Sequence, residues 1–394
     1  MTDMNFDFYV GTNVLFGKDA SYKAGEELAA RDLKKVMIVT DKGIVNAGLL
    51  SHIKESITFE GIEVVVFDEV PPNPPSATVV KGVEVFNENN CDSLVAVGGG
   101  SSMDACKAIS MMLTNDGDIN DFDSFIGTRT FENPGYPVIT IPTTAGTGSE
   151  TTMAAVITNE KTHWKSSTVS PYMSPVVALV DPAITLGLPP HITAATGVDA
   201  LTHAIEAYTA VGALNGKSPV SDALALQAIQ LISGSLRQAY ARGDNYEARE
   251  KMMSGSMIAG MAFLNVGLGS THALAHPLGG YYDIPHGVAN AILLPYVMKF
   301  NLSACPERYA DIAKAMGENI EGLTVIEAAE KAVDAVTKLV KDTDIPLLNT
   351  YNVKDEDWQR MAEDAFKDNN SNDNPRKCRV EDLLNIYLEA NNAR

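Results

Sequence analysis

Five residues in the second half of the chain have side chains and spacings that suit metal binding. Asp199 and His203 are four residues apart in GVDALTHAIEAY, and His272 and His276 are four apart in STHALAHPLGGYYDIPHG, where His286 also lies. On a helix, residues four apart share one face about one turn apart. Three of these four imidazoles together with the carboxylate, and no thiolate, suit a borderline divalent ion such as Fe(II) or Zn(II) and leave coordination positions open for a substrate oxygen.

The alternative interpretation is that these histidines are hydrogen-bonded core or surface residues. A pair of ligand-type residues four apart arises by chance in many helices. The segments here are otherwise apolar and rich in glycine, so each imidazole needs a buried partner to offset its desolvation. The joint occurrence of both pairs favours a metalloenzyme.

The order of apolar runs predicts two domains, which 394 residues also favour. Short β-branched runs alternate with helical patterns in the first half, at 36–39, 62–67, 94–97 and 138–141, with a last run ending near Asp181. They predict a parallel sheet buried on both faces, in an α/β, Rossmann-like domain over residues 1–184.

Residues 185–394 are predicted to form an all-α domain. Ser218 is expected to cap a helix that has Pro219 at its first position, and Thr324 with Glu327 forms a capping box. The Asn- and Asp-rich stretch 369–375 is expected to be a surface loop.

Charge and cysteine usage exclude several function classes. A formal net charge of −20 repels nucleic acid and anionic membranes. Four scattered cysteines form no Cys-x2-Cys pair, which argues against a structural zinc site or a disulfide framework and fits a reducing cytoplasm. The N-terminal stretch lacks the basic region of a secretory signal, and no uninterrupted apolar run is long enough to span a bilayer.

A glycine-rich loop is expected to hold a diphosphate. Gly98, Gly99 and Gly100 directly follow a strand, and Ser101 begins a helical pattern, so the backbone can approach a pyrophosphate at a helix N-terminus. Met103 stands where the third glycine of the standard dinucleotide motif would fall. A tight turn without ligand is the alternative.

Two further strand ends carry polar residues suited to a nucleotide. Thr143, Thr144 and Thr147 follow one strand, at the edge where a doubly wound sheet binds its ligand. Asp41 ends another, where its carboxylate can accept hydrogen bonds from ribose hydroxyls and repel a 2′-phosphate. The alternative for Asp41 is a helix cap or turn residue.

Four motifs together resemble the iron-containing (group III) alcohol dehydrogenases. They are GGGSSMDACKA, TTAGTGSE, ATGVDALTHAIEAY and GSTHALAHPLGGYYDIPHGVANAILLP. The similarity runs over essentially the whole chain. It implies the dehydroquinate synthase-like fold of that family, which agrees with the two domains predicted above.

The resemblance also implies roles for individual residues. The implied metal ligands are Asp199, His203, His272 and His286, whereas His276 would lie near the nicotinamide as the catalytic histidine. The implied cofactor-binding residues are Asp41, Gly98, Gly99, Gly100, Ser101, Thr143, Thr144, Thr147, Lys165 and Leu179. The implied cofactors are NAD and Fe(II), with Zn(II) fitting the same ligands.

The expected activity is the interconversion of short-chain primary alcohols and aldehydes with NAD(H). A divalent ion acts as a Lewis acid on the alcohol oxygen, hydride passes to the nicotinamide, and His276 either relays the proton or fixes the nicotinamide. Substrates of relatives, 1,3-propanediol and lactaldehyde, are alternatives. Ala154 and the stretch KDNNSNDNPRK depart from related enzymes near the expected pocket and disfavour a second substrate hydroxyl.

Two rival classes remain at this stage. A dehydroquinate-synthase-like lyase shares the fold, but its phosphorylated substrate would need basic residues, and none lies between Asp199 and Gly216 or between Met253 and Lys299. The second is an NAD-binding structural protein, against which the intact ligand set argues. We expect a small-molecule alcohol or aldehyde as the partner, no nucleic acid or membrane partner, and a homo-oligomer.

Overall fold

The structure, a computed structural model, describes residues 5–162, 164–212 and 216–393. Its contacts divide the chain into two units. The sheet unit comprises Val10–Thr144 and Gly148–Leu186, and the helical unit comprises the chain from Gly187 onward, Ala145–Thr147 and the described residues before Val10. The helical unit thus includes two short stretches, Ala145–Thr147 and the described residues before Val10, that precede the expected boundary between residues 184 and 185.

The described residues of the sheet unit form eight strands. In chain order they are β1 (Asn13–Phe16), β2 (Lys35–Val39), β3 (Glu63–Phe67), β4 (Ser93–Gly98), β5 (Val138–Pro142), β6 (Ala154–Asn159), β7 (Trp164–Val169) and β8 (Val177–Val180). Six of them form one sheet in the order β1-β8-β5-β4-β2-β3, and every adjacent pair in it is parallel. β6 and β7 form a separate antiparallel pair.

Both faces of the six-stranded sheet are covered, which explains its continuous apolar runs. The α-helices of this unit are α1 (Ala24–Ala29), α2 (Lys42–Asn46), α3 (Leu50–Phe59), α4 (Ser76–Glu88) and α5 (Gly100–Met112). Met37 and Val39 of β2 belong to the core that contains Met103 of α5, whereas Val36 and Ile38 belong to the core on the other face. The expected α/β unit with a parallel sheet is confirmed.

No strand follows β8 among the described residues, and the secondary structure there is helical. The helices are α6 (Pro190–Thr209), α7 (Pro219–Ala241), α8 (Tyr246–Val266), α9 (Ser270–Tyr282), α10 (His286–Asn301), α11 (Pro306–Ala315), α12 (Val325–Asp342), α13 (Trp358–Lys367), α14 (Asn370–Asp373) and α15 (Val380–Asn391), with short 3-10 turns between some of them. The side chain of Ser218 caps α7, and Thr324 with Glu327 forms the capping box of α12. The expected helical second half is confirmed.

The helices that matter most for the candidate site are buried on nearly all sides. α6 is buried almost continuously from Thr193 to Thr209. A core of apolar residues from α9, α10, α13 and α15 includes Leu274, Leu293 and Tyr387. Among the described residues no single helix is long and apolar enough to cross a membrane, although the bent pair α8 and α9 passes that test jointly by length and composition.

The expectation that residues 369–375 form a surface loop is wrong. This stretch contains α14, and Asp373 and Asn374 are buried. Asn374 exchanges two side-chain amide hydrogen bonds with Asn301, at 2.8 and 2.7 Å. The polar composition indicated solvent exposure, but the amide pair satisfies these polar groups inside the helical unit.

Candidate metal centre and cofactor loops

Four side chains of the helical unit converge on one point. α6 contributes Asp199 and His203 one turn apart, His272 lies in the first turn of α9, and His286 is the first residue of α10. One candidate ligand atom from each of the four lies within 4.8 Å of the others. The first three residues are buried and His286 is partly buried.

Glu206 fixes the orientation of His272. Nδ1 of His272 lies 2.5 Å from Oε2 of Glu206, and the backbone N–H of Thr271 donates to Oε1 of the same carboxylate at 2.7 Å. Because a carboxylate accepts hydrogen bonds, Nδ1 carries the proton and Nε2 keeps a lone pair. Burial lowers the pKa of His272, but the carboxylates of Glu206, Asp199 and Asp368 together outweigh burial and raise the pKa above its ordinary value.

Asn290 faces three of the candidate ligand atoms. Its Nδ2 donates to Oδ1 of Asp199 at 2.7 Å and lies 3.1 Å from Nε2 of His272 and 3.2 Å from Nε2 of His286. The amide nitrogen of Asn290 carries two hydrogens and only donates, so it can serve two of these three atoms at once, and its position brings the three atoms around one point.

His203 completes the donor set. Burial, followed by the neighbouring His272 ring, holds the pKa of His203 well below its ordinary value, so the imidazole is neutral and can offer a lone pair. Its ring stacks on Phe263 with centroids 4.6 Å apart. Three imidazoles and one carboxylate, oriented by Glu206 and Asn290, fit a borderline divalent metal.

His276 lies beside this cluster and has a different partner. Its ring centroid is 6.4 Å from that of His272 and 5.6 Å from that of His286. Its Nδ1 lies 2.7 Å from Oδ2 of Asp368, which is buried. Burial raises the pKa of Asp368, but His276, the backbone N–H of Asn370 and His272 together outweigh burial, so the pKa is lowered overall. With Nδ1 donating to Asp368, Nε2 of His276 can accept a proton.

The sheet unit brings three of the expected cofactor residues to one edge, and a fourth lies within a neighbouring strand. Asp41 follows β2, Gly98 ends β4, Thr143 follows β5, and Leu179 lies in β8, and these four strands are consecutive in the sheet. The chain reverses its direction of winding between β2 and β4, which is where doubly wound sheets bind ligands. The side chain of Leu179 lies in the apolar core.

The glycine loop, residues 98–101, depends on glycine at its first position. Gly98 has φ +155°, and a Cβ there would lie 2.5 Å from Oγ of Ser102 and 3.7 Å from Oδ2 of Asp41. Gly99 is the N-cap of α5, and no side chain hydrogen-bonds to that cap. Gly100 and Ser101 therefore open a helix whose N-terminal N–H groups can receive a phosphate.

The threonine loop, residues 143–147, begins next to the glycine loop. The backbone N–H of Thr143 donates to the carbonyl of Gly98 at 3.0 Å, and a Cβ on Gly99 would lie 3.3 Å from Oγ1 of Thr144. Oγ1 of Thr144 is buried and has no hydrogen-bond partner among the described residues, which fits a contact with a bound cofactor. Thr147 belongs to the helical unit.

Both interpretations of Asp41 have structural support. Oδ1 of Asp41 accepts the N–H of Ile44 at 3.0 Å and caps α2, whereas Oδ2 is the oxygen that faces Gly98. One carboxylate can therefore cap a helix and still present its second oxygen between β2 and β4, where the chain reverses its direction of winding. Lys165 of β7 donates from Nζ to Oδ1 of Asn73 at 2.8 Å.

Three residues of the metal cluster's surroundings were not anticipated from the sequence. The sequence could have indicated a role for Glu206, since it is a carboxylate three residues after His203 in an otherwise apolar helix and so required a buried partner. The sequence indication for Asn290 was weaker and consisted of its position four residues after His286. Asp368 is 92 residues from His276, and no local pattern links them.

Known proteins resemble this chain over its full length. The family model "Iron-containing alcohol dehydrogenase" matches residues 11–182, and "Fe-containing alcohol dehydrogenase family, C-terminal" matches residues 193–391. The 1,3-propanediol dehydrogenase of Citrobacter freundii is 47% identical over 392 residues, which cover 98% of each chain. The NAD-dependent methanol dehydrogenase of Bacillus methanolicus is 42% identical over 98% of this chain and 99% of its own.

A solved structure agrees with these sequence matches. A crystal structure of 1,3-propanediol oxidoreductase has a TM-score of 0.93 and 46% identity, over 98% of this chain and 99% of that one. Both halves of the chain match the two family models in order. The chain therefore belongs to the iron-containing alcohol dehydrogenases, which confirms the family and the class of oxidoreductase that its motifs predicted.

Proposed function

We propose that this chain interconverts short-chain primary alcohols and aldehydes with NAD(H), using a divalent metal. The observation that carries the proposal is that one candidate ligand atom from each of Asp199, His203, His272 and His286 lies within 4.8 Å of the others. Alcohol dehydrogenases of this family use NAD(H) and a divalent metal, and the Bacillus methanolicus relative is named as NAD-dependent.

Asp199, His203, His272 and His286 would hold the metal. When bound, the ion supplies Lewis acidity to an alcohol or carbonyl oxygen. The protein's own contribution is to hold three imidazoles and one carboxylate in fixed orientations, through the contacts of Glu206 with His272 and of Asn290 with Asp199. The family name points to Fe(II), and Zn(II) fits the same donor set.

His276 would hold or move the proton that an alcohol releases on oxidation. Asp368 keeps the proton of His276 on Nδ1, so Nε2 is the atom that can accept it. Because Asp368 is buried and bonded to the ring, it also fixes the orientation of the imidazole. A fixed orientation keeps the accepting atom in place at no further entropic cost.

NAD would bind at the edge of the sheet unit described above. The glycine loop and the N-terminus of α5 would bind the pyrophosphate, and Oδ2 of Asp41 would accept the adenosine ribose hydroxyls. Oγ1 of Thr144 would find its missing partner on the cofactor. Lys165, Thr147 and the strand containing Leu179 remain predictions drawn from the family motifs.

The physiological alcohol is a finer proposal. Relatives named 1,3-propanediol dehydrogenase and lactaldehyde reductase, the latter 42% identical, favour a small diol or hydroxyaldehyde as the second candidate. Ala154 offers no polar side-chain atom for a second substrate hydroxyl, which favours a simple primary alcohol. We also propose a cytoplasmic, homo-oligomeric enzyme, and its four free cysteines suit a reducing compartment.

The test is an assay of the purified, Fe(II)- or Zn(II)-loaded protein. Ethanol, 1-butanol and 1,3-propanediol are assayed with NAD, and lactaldehyde is assayed with NADH. We expect NAD reduction with the primary alcohols and little preference for the diol. Turnover confined to 1,3-propanediol or lactaldehyde would favour the second candidate, and no turnover with any substrate would contradict the proposed activity.

A further inference from the structure

A fully buried lysine in α5 binds the stretch of the sheet unit that follows the threonine loop. Lys107 is 0% exposed, although lysine is almost never buried without partners. Burial lowers its pKa, and the nearby Asp104 carboxylate opposes this shift. No step of the proposed reaction uses this side chain, so its cost in desolvation calls for another explanation.

The ammonium of Lys107 binds the stretch that follows the threonine loop. Nζ donates to the carbonyl and hydroxyl oxygens of Ser149 at 3.0 and 2.7 Å, to Oγ1 of Thr152 at 3.2 Å and to the carbonyl of Ala154 at 2.5 Å. Its Nζ lies 3.3 Å from Oδ1 of Asp104, one turn earlier in α5.

Asp104 holds the same stretch with both of its oxygens. Oδ1 accepts the hydroxyl proton of Ser149 at 2.6 Å, and Oδ2 accepts the backbone N–H of Val156 at 3.0 Å. Asp104 and Lys107 are three residues apart, so they share one face of α5. We call these two residues and Ser149 the α5 clamp.

The threonine loop is thus anchored on both sides. Before it, Thr143 donates to the carbonyl of Gly98 in the glycine loop. After it, the α5 clamp fixes Ser149 to the helix whose N-terminus is the glycine loop. We infer that the α5 clamp sets the spacing between the glycine and threonine loops, so that Lys107 and Asp104 are positioning residues for NAD(H).

The inference rests on the proposed use of NAD(H) and adds a distinction between the two halves of the cofactor. Asp41 and the glycine loop, on the adjacent strands β2 and β4, would take the adenosine diphosphate half. The threonine loop follows β5, the next strand, and would contact the remaining half. Loosening the clamp should therefore weaken NADH and spare ADP.

The experiment measures direct binding of NADH and of ADP to the metal-free full chain, by fluorescence and by calorimetry. Ser149→Ala removes two side-chain hydrogen bonds of the clamp without removing a charge, and Lys107→Met removes the ammonium and keeps an unbranched side chain. Lys81→Met is the matched control, because Lys81 lies in α4 of the same unit and pairs with Glu69 at the exposed surface.

We expect Ser149→Ala to raise the Kd for NADH roughly fivefold, which corresponds to about 1 kcal/mol for a buried hydrogen bond, and Lys107→Met to raise it further. The Kd for ADP should stay close to the wild-type value, and Lys81→Met should change neither. KM for NAD should rise with little change in KM for the alcohol.

Two results would overturn the inference. One is an unchanged Kd for NADH in a folded Ser149→Ala protein, and the other is an equal weakening of NADH and ADP, which would indicate a general structural defect. If the wild type bound neither NADH nor ADP, the proposed cofactor itself would be wrong.

Discussion

At the residue scale, His272 and His276 are held in the same way but are expected to play different roles. Nδ1 of His272 is held by Glu206 and that of His276 by Asp368, so both rings are fixed, but only His272 belongs to the group of converging ligand atoms. The same residue type can therefore serve coordination at one position and proton movement at another.

We expect His276→Ala to keep its metal and to lose turnover. The substitution removes the proton acceptor, and general acid-base catalysis contributes about 10²- to 10⁴-fold. Elemental analysis and steady-state kcat measure the two effects separately. Asp368→Asn should retain metal with a smaller loss of kcat, because the amide can still hold the ring. A metal-free His276→Ala protein would contradict this division of roles.

Asp41→Gly should shift cofactor preference toward NADP. Removing the carboxylate removes both the ribose acceptor and the repulsion of a 2′-phosphate. Glycine is a tolerated N-cap, so the loss of the α2 cap costs only a few tenths of a kcal/mol. Asp41→Asn keeps a capping oxygen and is the matched control for charge. The ratio of kcat/KM for NAD and NADP checks this, and an unchanged ratio would remove Asp41 from the site.

Candidate site residues could be predicted from the sequence where two of them lie a short distance apart on the same helix. Asp199 and His203, and His272 and His276, share helices, so a four-residue spacing was enough to propose that each pair lies together. The separation of His276 from the ligand set depends on Asp368, a contact made by tertiary packing, and came only from the family resemblance. The Asp368 contact itself has no local sequence signature.

At the scale of elements, the metal cluster depends on how α6 meets α9. Glu206 of α6 accepts hydrogen bonds from the ring of His272 and from the backbone of Thr271, so it joins the two helices at the cluster. This carboxylate orients a ligand and is not one of the four converging residues.

Glu206→Gln should weaken metal affinity about 10- to 100-fold while the helices remain folded, since partners of ligating histidines typically have effects of that size. Competition with a chelator measures the affinity, and circular dichroism checks helix content. Glu247→Gln, an exposed position on α8, is the control. Wild-type metal affinity in Glu206→Gln would show that the contact does not tune the site.

Glu150, in the 3-10 turn after the threonine loop, should make stability depend on pH. Burial raises its pKa from 4.5 to about 7, and the facing Lys107 only partly opposes this. Between these pH values the folded chain binds more protons than the unfolded chain, so the stabilising contribution is present below about 4.5 and is lost as pH rises through 7.

Glu150→Gln cannot ionise and should therefore be more stable than the wild type above pH 7, by up to roughly 3 kcal/mol at 1.36 kcal/mol per pKa unit. The difference should shrink toward pH 5. Denaturant unfolding of both proteins at pH 5 and pH 8 measures it. A difference that does not vary between these pH values would contradict the raised pKa.

The central strands were predictable because burial on both faces leaves continuous β-branched runs. β1, with only four partly exposed residues, and the β6–β7 pair lack that signature and were not anticipated. Residues 369–375 were misjudged because composition reports polarity, whereas the Asn301–Asn374 amide pair is a tertiary contact.

At the scale of the whole molecule, the sheet unit and the helical unit carry different parts of the proposed chemistry. The candidate cofactor loops lie chiefly in the sheet unit, and all four candidate metal ligands lie in the helical unit. The change from strand to helix texture near Pro182 made two domains predictable. Short stretches such as Ala145–Thr147 join the helical unit through contacts that no local pattern reveals.

The most direct test of the account is elemental analysis of the purified wild type and His286→Ala, combined with NAD-dependent oxidation of a primary alcohol. We expect the wild type to retain one divalent ion per chain and to turn over, and the variant to lose both together, because removing a ligand leaves the ion short of a donor. A His286→Ala protein that kept stoichiometric metal and near-normal turnover would contradict the proposed metal centre.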